Sequence, residues 1–324
     1  MKKVLFAGIK PLGRSENLNI LWSEAPESWE KSWTIVHTAA GNLDICLAAE
    51  RGVDLVIEDD FQNAQILGRE GKTKVVFIGH GCSGGKSFGL DQPNPYLRYV
   101  EDLDAVISSS TALVDLVARQ CGVPTEKVYP LGLPRTDRYF HPAPAGTEFD
   151  GVQGRRILYV PTFRGPTQGY LPEVPWHRID NELGPGDRLI IKRHPLTGQK
   201  FIDEKESYLH ILEVDPMIVT WPYLMNCDVV VTDYSSVMFD AYICGKPVVL
   251  FAPDAGSYLS ARGMYLQYPN EYSSFQCGSW SKLVDLCHRA YFDETAEACR
   301  LKTADACDGH ATERVLELCE QLCK

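Results

Sequence analysis

The sequence lacks an excess of positive charge. It has 32 lysine and arginine residues against 43 aspartate and glutamate residues, which gives a formal net charge of −11. Proteins that coat DNA or RNA carry basic patches, so this balance argues against a nucleic-acid partner. It also argues against docking on anionic lipid by charge alone.

Long apolar runs are missing as well. No stretch approaches the roughly 20 apolar residues of a membrane-spanning helix. The apolar part of the opening "MKKVLFAGIKPLGR" is too short for a secretory signal. We therefore expect a cytoplasmic protein, and we leave open a peripheral contact with the inner face of the cell membrane.

The sequence contains 11 cysteines but not the spacing of a zinc site, because the close pair Cys319 and Cys323 has no partner pair. We expect buried free thiols in a reducing compartment. A nucleophile elbow (G-x-S-x-G), an H-E-x-x-H motif and a carboxylate-rich metal cluster are also missing. These absences argue against the hydrolases and metalloproteases that carry such motifs.

The sequence does contain a regular alternation of strand-like and helix-like segments. Strands are predicted in KVLFAGI, SWTIVHTA, VDLVIED, TKVVFIGHG and DLDAVISSS, and helices in NLDICLAAERG, FQNAQILGREG and TALVDLVARQCG. After the Pro- and Gly-containing stretch YFHPAPAGTEFDGVQGRR, strands are predicted in RILYVPTF, DRLIIKRHP, MIVTWP, CDVVVTD and KPVVLFAPD. The helix SVMFDAYICG and a helical tail from SWSKLVDLCHRAYF complete the second series.

This alternation predicts an α/β fold with parallel sheets covered on both faces. Two such series joined by one linker predict a GT-B-like pair of Rossmann-type domains, with parallel sheets facing across a ligand cleft. We place the domains at residues 1–145 and 146–324. Ligands of such folds gather beyond the carboxyl ends of the strands.

One polar cluster interrupts the apolar stretch VVVTDYSSVMFDAYICGKPVVL, residues 229–250. Asp233, Ser235 or Ser236 could cap the following helix, or the helix start could hold a phosphate group. Asp240 lies four residues after Ser236, on the same helix face. It could bind ribose hydroxyls or be a solvated helix residue, and spacing alone leaves both pairs of alternatives open.

Two further strand ends carry cations. Thr162 and Arg164 follow a strand in LYVPTFRG, and arginine suits bidentate phosphate binding. Lys192, Arg193 and His194 end the strand IIKRHP. Each group could bind a phosphate or stabilise a leaving group, or could be a set of solvated charges at a strand end.

The richest loop of the first half is GHGCSGGKS, which follows a predicted strand. It is one residue short of the Walker A spacing, so we rank an ATP-type loop below a catalytic role for His80. Histidine is the usual residue for taking a proton from a hydroxyl near neutral pH. A turn histidine without chemistry is the alternative.

Together these stretches resemble the CDP-glycerol glycerophosphotransferases, the family of teichoic-acid and capsule polyol-phosphate transferases. VPTFR, IKRHP, LGLPRTDRYF and the GHG…K loop resemble four of its elements, and the matches run from about residue 77 to 263. The spacing from His80 to Lys86 is one residue longer than in the family loop. The most specific block contains Thr232, Asp233, Tyr234, Ser235, Ser236, Phe239, Asp240, Gly245, Lys246, Pro247 and Asp254.

The resemblance implies a GT-B fold and an enzyme that transfers glycerol phosphate, or a related polyol phosphate, from a CDP-linked donor. The acceptor would be a hydroxyl of a cell-surface glycan, a lipid-linked precursor or a growing polymer, and CMP would leave. His80 would be the general base, and His194 would stabilise the CMP leaving group. The resemblance implies substrate contacts for Gly81, Lys86, Arg135, Pro161, Thr162, Arg164, Lys192, Thr232, Asp233, Ser235, Ser236 and Asp240.

Because such transfer depends on positioning and charge stabilisation, which arginine, histidine and helix N–H groups can supply, we expect no metal and no cofactor. Two alternatives remain at this point. One is a GT-B glycosyltransferase that uses a nucleotide sugar, and the other is a catalytically silent nucleotide-binding relative. The sequence does not specify the polyol, the acceptor or the oligomeric state.

Overall fold

The computed structural model describes residues 1–8, 16–35, 52–59, 73–79, 81–87, 103–164, 174–197, 200–203 and 205–324. Its contacts divide the chain into two compact units. The passage between them at Phe140 falls inside the stretch expected to be a linker. Unit 1 comprises Met1–Ser83, Phe88–Phe140 and Lys302–Lys324, and unit 2 comprises Gly84–Ser87 and His141–Leu301.

Unit 1 contains a six-stranded sheet in the order β2-β1-β3-β4-β5-β6, and every pair of neighbours is parallel. Its central strands are almost continuously apolar because both faces of a parallel sheet are buried. Its strands are β1 (Lys2–Gly8), β2 (Trp29–Ile35), β3 (Leu55–Glu58), β4 (Lys74–Phe77), β5 (Ala105–Ile107) and β6 (Val128–Tyr129).

Two described α-helices of unit 1 lie in the first half of the chain, α1 (Glu16–Glu24) and α2 (Val114–Cys121). Gly122 ends α2 in the left-handed conformation, with φ of 64°, where glycine meets no steric penalty. A 3₁₀ helix at Pro134–Phe140 closes this part of the unit.

Unit 2 contains a second six-stranded sheet, in the order β12-β11-β10-β7-β8-β9, again parallel throughout. Strand β10 lies between β7 and β11, so the segments that follow these three strands meet at one edge. The strands are β7 (Arg156–Tyr159), β8 (Arg188–Ile191), β9 (Ile211–Glu213), β10 (Val229–Thr232), β11 (Val248–Phe251) and β12 (Phe275–Cys277).

The remaining helices follow in chain order. They are α3 (Trp176–Glu182), α4 (Trp221–Asn226), α5 (Val237–Ile243), α6 (Ala255–Arg262), α7 (Leu283–Arg289), α8 (Glu294–Ala304) and α9 (Ala311–Leu322). No helix in the described ranges has the length and apolar character needed to cross a bilayer.

The predicted α/β fold with two parallel, Rossmann-type sheets is confirmed. The predicted strand MIVTWP is wrong, because Asp215-Pro216 forms a turn there. Asp215 accepts hydrogen bonds from the N–H groups of Met217, at its side chain and 2.8 Å, and of Ile218, at its carbonyl and 3.1 Å. The strand is the earlier β9, and helix α4 begins at Trp221.

Two predicted helices cannot be compared with the structure, and some described elements were not predicted. The predicted helices NLDICLAAERG and FQNAQILGREG fall outside the described residues, except for Gly52. Besides β9, the elements that were not predicted are strands β6 and β12 and helices α1, α3, α4 and α6. The ten cysteines in the described ranges are free thiols, and seven of them are buried.

The last 23 residues group with unit 1, whereas the sequence places them in the second domain. Asp137 accepts hydrogen bonds from the N–H groups of Ala311 and Thr312, at 3.0 and 2.7 Å, and so caps α9. Ser109 and Ser110 donate to the carbonyl oxygens of residues 303 and 302, at 2.6 and 2.8 Å. The polar run SSS of the sequence therefore fixes the C-terminal segment.

A buried carboxylate organises the opposite end of the unit 2 sheet. Asp187 accepts hydrogen bonds from the N–H groups of Arg155 at 2.7 Å and Gly184 at 2.8 Å, and it binds His288 Nε2 at 2.7 Å. Burial opposes its charge, but these hydrogen bonds hold the pKa of Asp187 below its ordinary value. This group lies at the amino ends of β7 and β8, away from the carboxyl edge.

Candidate active site

The centre of the carboxyl edge in unit 2 is Asp233, which directly follows β10. Its side chain is only 1% exposed. Oδ1 accepts hydrogen bonds from the N–H groups of Thr162 at 2.9 Å and Tyr234 at 2.6 Å. Oδ2 binds Arg164 Nη2 at 2.7 Å. Asp233 therefore joins the loop after β7 to the loop after β10, and it does not cap α5.

Arg164 is the cation that joins three strand ends. Besides Asp233, it binds Asp254 through Nε at 2.7 Å and donates from Nη1 to the carbonyl oxygen of Thr162 at 2.7 Å. Burial opposes its charge, but the hydrogen bonds to Asp254 and Asp233 raise the pKa of Arg164. Its predicted contact with phosphate stays a prediction, and in this structure the guanidinium group binds these two carboxylates.

Two tyrosine rings support this ionic group. The rings of Tyr234 and Tyr258 stack with centroids 3.8 Å apart. The guanidinium carbon of Arg164 lies 5.0 Å from the first centroid and 5.1 Å from the second, within cation–π range. Tyr234 also donates its hydroxyl to Asp254 at 2.9 Å. The apolar rings exclude water from the ion pairs, which strengthens them.

Lys86 reaches the same group of residues from an earlier part of the sequence. Lys86 forms an antiparallel bridge with Met264, and the N–H group of Tyr265 donates to the carbonyl oxygen of Gly85 at 3.0 Å. Loss of solvent lowers the pKa of Lys86 to about 8, and Asp233 partly offsets this effect. The predicted Lys86 therefore belongs to unit 2 and lies within the electrostatic reach of Asp233.

The end of β8 places His194 beside the same loop. The His194 ring is 5.7 Å from the ring of Phe163, the residue between Thr162 and Arg164. Its Nδ1 accepts a hydrogen bond from the N–H group of Leu196 at 3.1 Å. In the neutral ring the proton is therefore on Nε2. The residue is exposed.

The two cations before His194 support its loop. Arg193 is buried, forms an ion pair with Glu213 on β9 and donates to the carbonyl oxygen of Thr197 at 2.6 Å. Lys192 is also buried, and its Nζ lies 3.3 Å from the carbonyl oxygen of Pro216. The predicted substrate contact of Lys192 stays a prediction.

The other predicted residues of unit 2 occupy the same edge. Thr232 is buried and donates from Oγ1 to the carbonyl oxygen of Val160 at 2.6 Å, which ties β10 to β7. Ser235 and Ser236 are half-buried before α5. The side chain of Ser236 makes no capping hydrogen bond, whereas Ser235 Oγ accepts a long one from the N–H group of Val237 at 3.4 Å. Asp240 is buried one turn into α5, and Pro161 is buried after β7.

Unit 1 contains the remaining candidates. His80 lies outside the described residues, between Gly79 and the half-buried Gly81. Arg135 is 5% exposed, and its Nη1 lies 3.9 Å from Glu16. Their catalytic and substrate-binding roles stay predictions.

Sequence reasoning missed Asn17, which organises this part of unit 1. Its side chain is buried, donates to the carbonyl oxygen of Gly79 at 2.9 Å and accepts from the N–H group of Arg135 at 3.0 Å. It therefore fixes the residue before His80 and the backbone of Arg135 together. No spacing in the sequence marks an asparagine in α1 for this role. The described residues also contain no group of three His, Cys, Asp or Glu side chains able to hold a metal ion.

Comparison with known proteins extends these observations. A teichoic acid ribitol-phosphate primase of Bacillus spizizenii is 26% identical over 81% of this chain and 73% of its own length. A teichoic acid glycerol-phosphate primase of Bacillus subtilis is 23% identical over 83% and 73%.

A structure of the wall teichoic acid polymerase TagF has a TM-score of 0.76 at 16% identity, and covers 99% of this chain and 89% of that one. A TagF variant soaked with CDPG has a TM-score of 0.72 at 15% identity, with the same coverage. These similarities confirm the GT-B-like fold. The profile of the family described as CDP-Glycerol:Poly(glycerophosphate) glycerophosphotransferase matches residues 3–321. The chain therefore belongs to the CDP-glycerol:poly(glycerophosphate) glycerophosphotransferase family.

Proposed function

We propose that this enzyme transfers a polyol phosphate from a CDP-polyol to a hydroxyl group of a teichoic-acid-like acceptor and releases CMP. The observation that carries the proposal is that residues from several of the family motifs lie at the carboxyl edge of the unit 2 sheet. Thr162 donates its N–H to Asp233, Lys86 lies within the electrostatic reach of Asp233, and His194 lies beside the loop of Thr162. Membership of the family supports the transferase chemistry.

The reaction breaks the bond between the β-phosphorus and the bridging oxygen of the donor. The acceptor oxygen forms the new bond to phosphorus, its proton passes to His80, and the electron pair of the broken bond leaves with CMP. Such displacements depend on positioning and on stabilisation of the phosphate charge. The resemblance implies the leaving-group side for His194, and its ring lies beside Phe163, in the loop of Thr162.

The names of the relatives narrow the substrate class. One primase acts with ribitol phosphate and another with glycerol phosphate, and the two cover this chain to a similar extent. We therefore propose a CDP-linked glycerol or ribitol as the donor and a teichoic-acid precursor or related glycan as the acceptor. A cytoplasmic location with peripheral membrane contact stays a prediction.

The test is CMP release from CDP-glycerol and CDP-ribitol with a glycan or lipid-extract acceptor mixture. We expect release by the wild type and losses of at least about 100-fold in kcat for His80→Ala and His194→Ala. His177→Ala is the matched control, because His177 is an exposed histidine of unit 2 with a 77% exposed side chain. Release that persists in both variants would contradict the assigned histidines. Consumption of a nucleotide sugar instead would indicate a glycosyltransferase.

A further inference from the structure

One hydroxyl group in unit 2 is buried without serving the fold. The OH of Tyr268 makes no hydrogen bond to any residue that the structure describes. Its ring centroid lies 5.2 Å from that of Tyr234 and 5.6 Å from that of Tyr272. Because an unsatisfied buried hydroxyl costs stability, its retention beside the candidate site needs an explanation.

The neighbouring tyrosines behave differently. Tyr234 donates its hydroxyl to Asp254, and Tyr272 donates to the carbonyl oxygen of Gly84 at 3.0 Å. The hydroxyl of Tyr272 also accepts from the N–H group of Leu266 at 3.2 Å. In this row of rings, the hydroxyls of these two residues bind the protein, whereas that of Tyr268 does not within the described ranges.

A second hydroxyl group at this edge of the sheet is also buried without a hydrogen-bond partner among the described residues. Thr162 Oγ1 is buried and has no hydrogen-bond partner within the described ranges. The backbone of Thr162 is fully engaged, since its N–H binds Asp233 and its carbonyl oxygen accepts from Arg164. Asp233 and Arg164 also act electrostatically on Tyr268, which places both hydroxyls around the same ionic group.

Chemistry narrows what these hydroxyls can bind. Loss of solvent, and then the charge of Asp233, raise the pKa of Tyr268, so its hydroxyl stays protonated at neutral pH and acts as a donor. The charged groups that act on Tyr268 or Lys86 are Asp233, Asp254, Arg164 and Arg262. Together with Lys86 these groups comprise three cations and two carboxylates. This excess of positive charge favours an anionic ligand whose oxygens accept hydrogen bonds.

We propose that the hydroxyl groups of Tyr268 and Thr162, together with the ammonium group of Lys86, bind phosphate oxygens of the CDP-polyol donor. This inference rests on the proposed function and adds Tyr268 as a donor-binding residue. Phosphate oxygens only accept hydrogen bonds, which suits two hydroxyl groups that have no acceptor within the described ranges. The ligand therefore completes hydrogen bonds that the fold leaves unmade.

The test uses Tyr268→Phe, which removes the hydroxyl and keeps the ring, with Tyr272→Phe as the matched control. We expect Tyr268→Phe to keep or raise the melting temperature of the free enzyme, because it removes an unsatisfied polar atom. Tyr272→Phe loses two hydrogen bonds to the protein and should lower the melting temperature by about 2 to 4 °C.

For donor binding we expect the larger loss in Tyr268→Phe and the smaller one in Tyr272→Phe, the reverse of their effects on the melting temperature. For Tyr268→Phe we expect KM for CDP-glycerol to rise about 10- to 100-fold, the cost of one hydrogen bond to a charged group. The gain in melting temperature with CDP-glycerol should shrink correspondingly, while Tyr272→Phe should keep a KM within about threefold of the wild type. Thr162→Val should raise KM in the same direction. An arm with inorganic phosphate shows whether a free phosphate group alone uses these hydroxyls or the whole donor is needed.

The outcomes separate the two levels of the proposal. If Tyr268→Phe matches the wild type in KM and in stabilisation by CDP-glycerol, the role of Tyr268 is refuted while the transferase function stands. If the wild type is neither stabilised by CDP-glycerol or CDP-ribitol nor able to turn them over, both the function and this inference are overturned.

Discussion

Replacement of Arg164 by methionine tests the network at the carboxyl edge of unit 2. Its side chain is 9% exposed, and the carboxylates that it binds, Asp233 and Asp254, are 1% and 7% exposed. The variant Arg164→Met leaves both carboxylates buried without their cation. Removing one partner from a buried ion pair typically costs about 3 to 5 kcal/mol. We expect a loss of this size in the free energy of unfolding of unit 2.

Hydrogen exchange followed by mass spectrometry localises the loss. Peptides that contain β7, β10 and β11 should exchange faster in Arg164→Met, because the three strand ends are no longer joined. Arg178→Met is the control. Its ion pair with Glu182 lies on the surface of α3, with side chains 56% and 33% exposed, and should contribute less than about 1 kcal/mol.

A double-mutant cycle with Asp254→Asn completes this prediction. Since Asp254 binds Arg164 through two hydrogen bonds, at 2.7 and 3.1 Å, the two substitutions should be non-additive by about 1 to 3 kcal/mol. If Arg164→Met costs no more than Arg178→Met, or if the cycle is additive, the proposed structural role of Arg164 is wrong.

Four further predictions follow from the same structure. Because the pKa of Lys86 is lowered to about 8, KM for the donor should rise above pH 8 in the wild type but not in Lys86→Met, as measured by a pH profile of CMP release. Asn17→Ala removes the hydrogen bond to Gly79 and should lower kcat at least about tenfold while costing about 1 to 3 kcal/mol, and unchanged kcat would contradict its positioning role. The folded-state pKa of Asp187 is lowered, so its contribution is present above its unfolded pKa of about 3.9 and is lost as pH falls through the folded value. The stability gap between the wild type and Asp187→Asn, measured by urea unfolding, should therefore close in acid. Finally, EDTA should change CMP release by less than about twofold if positioning and protein cations suffice, and abolition by EDTA with rescue by Mg²⁺ would overturn that prediction.

The inner strands of the unit 2 sheet, such as β10 and β11, could be predicted because their sequence signal is local. The segments VVVT and VVLF are apolar throughout, and small polar or Gly-containing segments bound them, as expected for strands buried on both faces. Strand β9 was missed because it has three residues, and the apolar run after Asp215-Pro216 imitated a strand. Exposed Met217, Ile218 and Val219 in fact lie in and after that turn.

The roles of individual side chains were harder to predict, because their partners are distant in sequence. Asp233 could be read as a helix cap or a ligand, but its partners in the structure are Thr162 and Arg164, 71 and 69 residues away. Ser109 binds the carbonyl oxygen of Thr303, 194 residues away, which no local pattern reveals. The motif marks which residues matter, whereas only the fold shows what each one contacts.

The most direct test of the central claim is the identity of the bond that the enzyme makes. Wild-type enzyme is incubated with CDP-glycerol or CDP-ribitol and an acceptor, and phosphorus NMR follows the donor and the products. We predict equal amounts of CMP and a new phosphodiester on the acceptor, and neither product with His194→Ala. No phosphodiester from either donor, together with consumption of a nucleotide sugar, would contradict polyol-phosphate transfer.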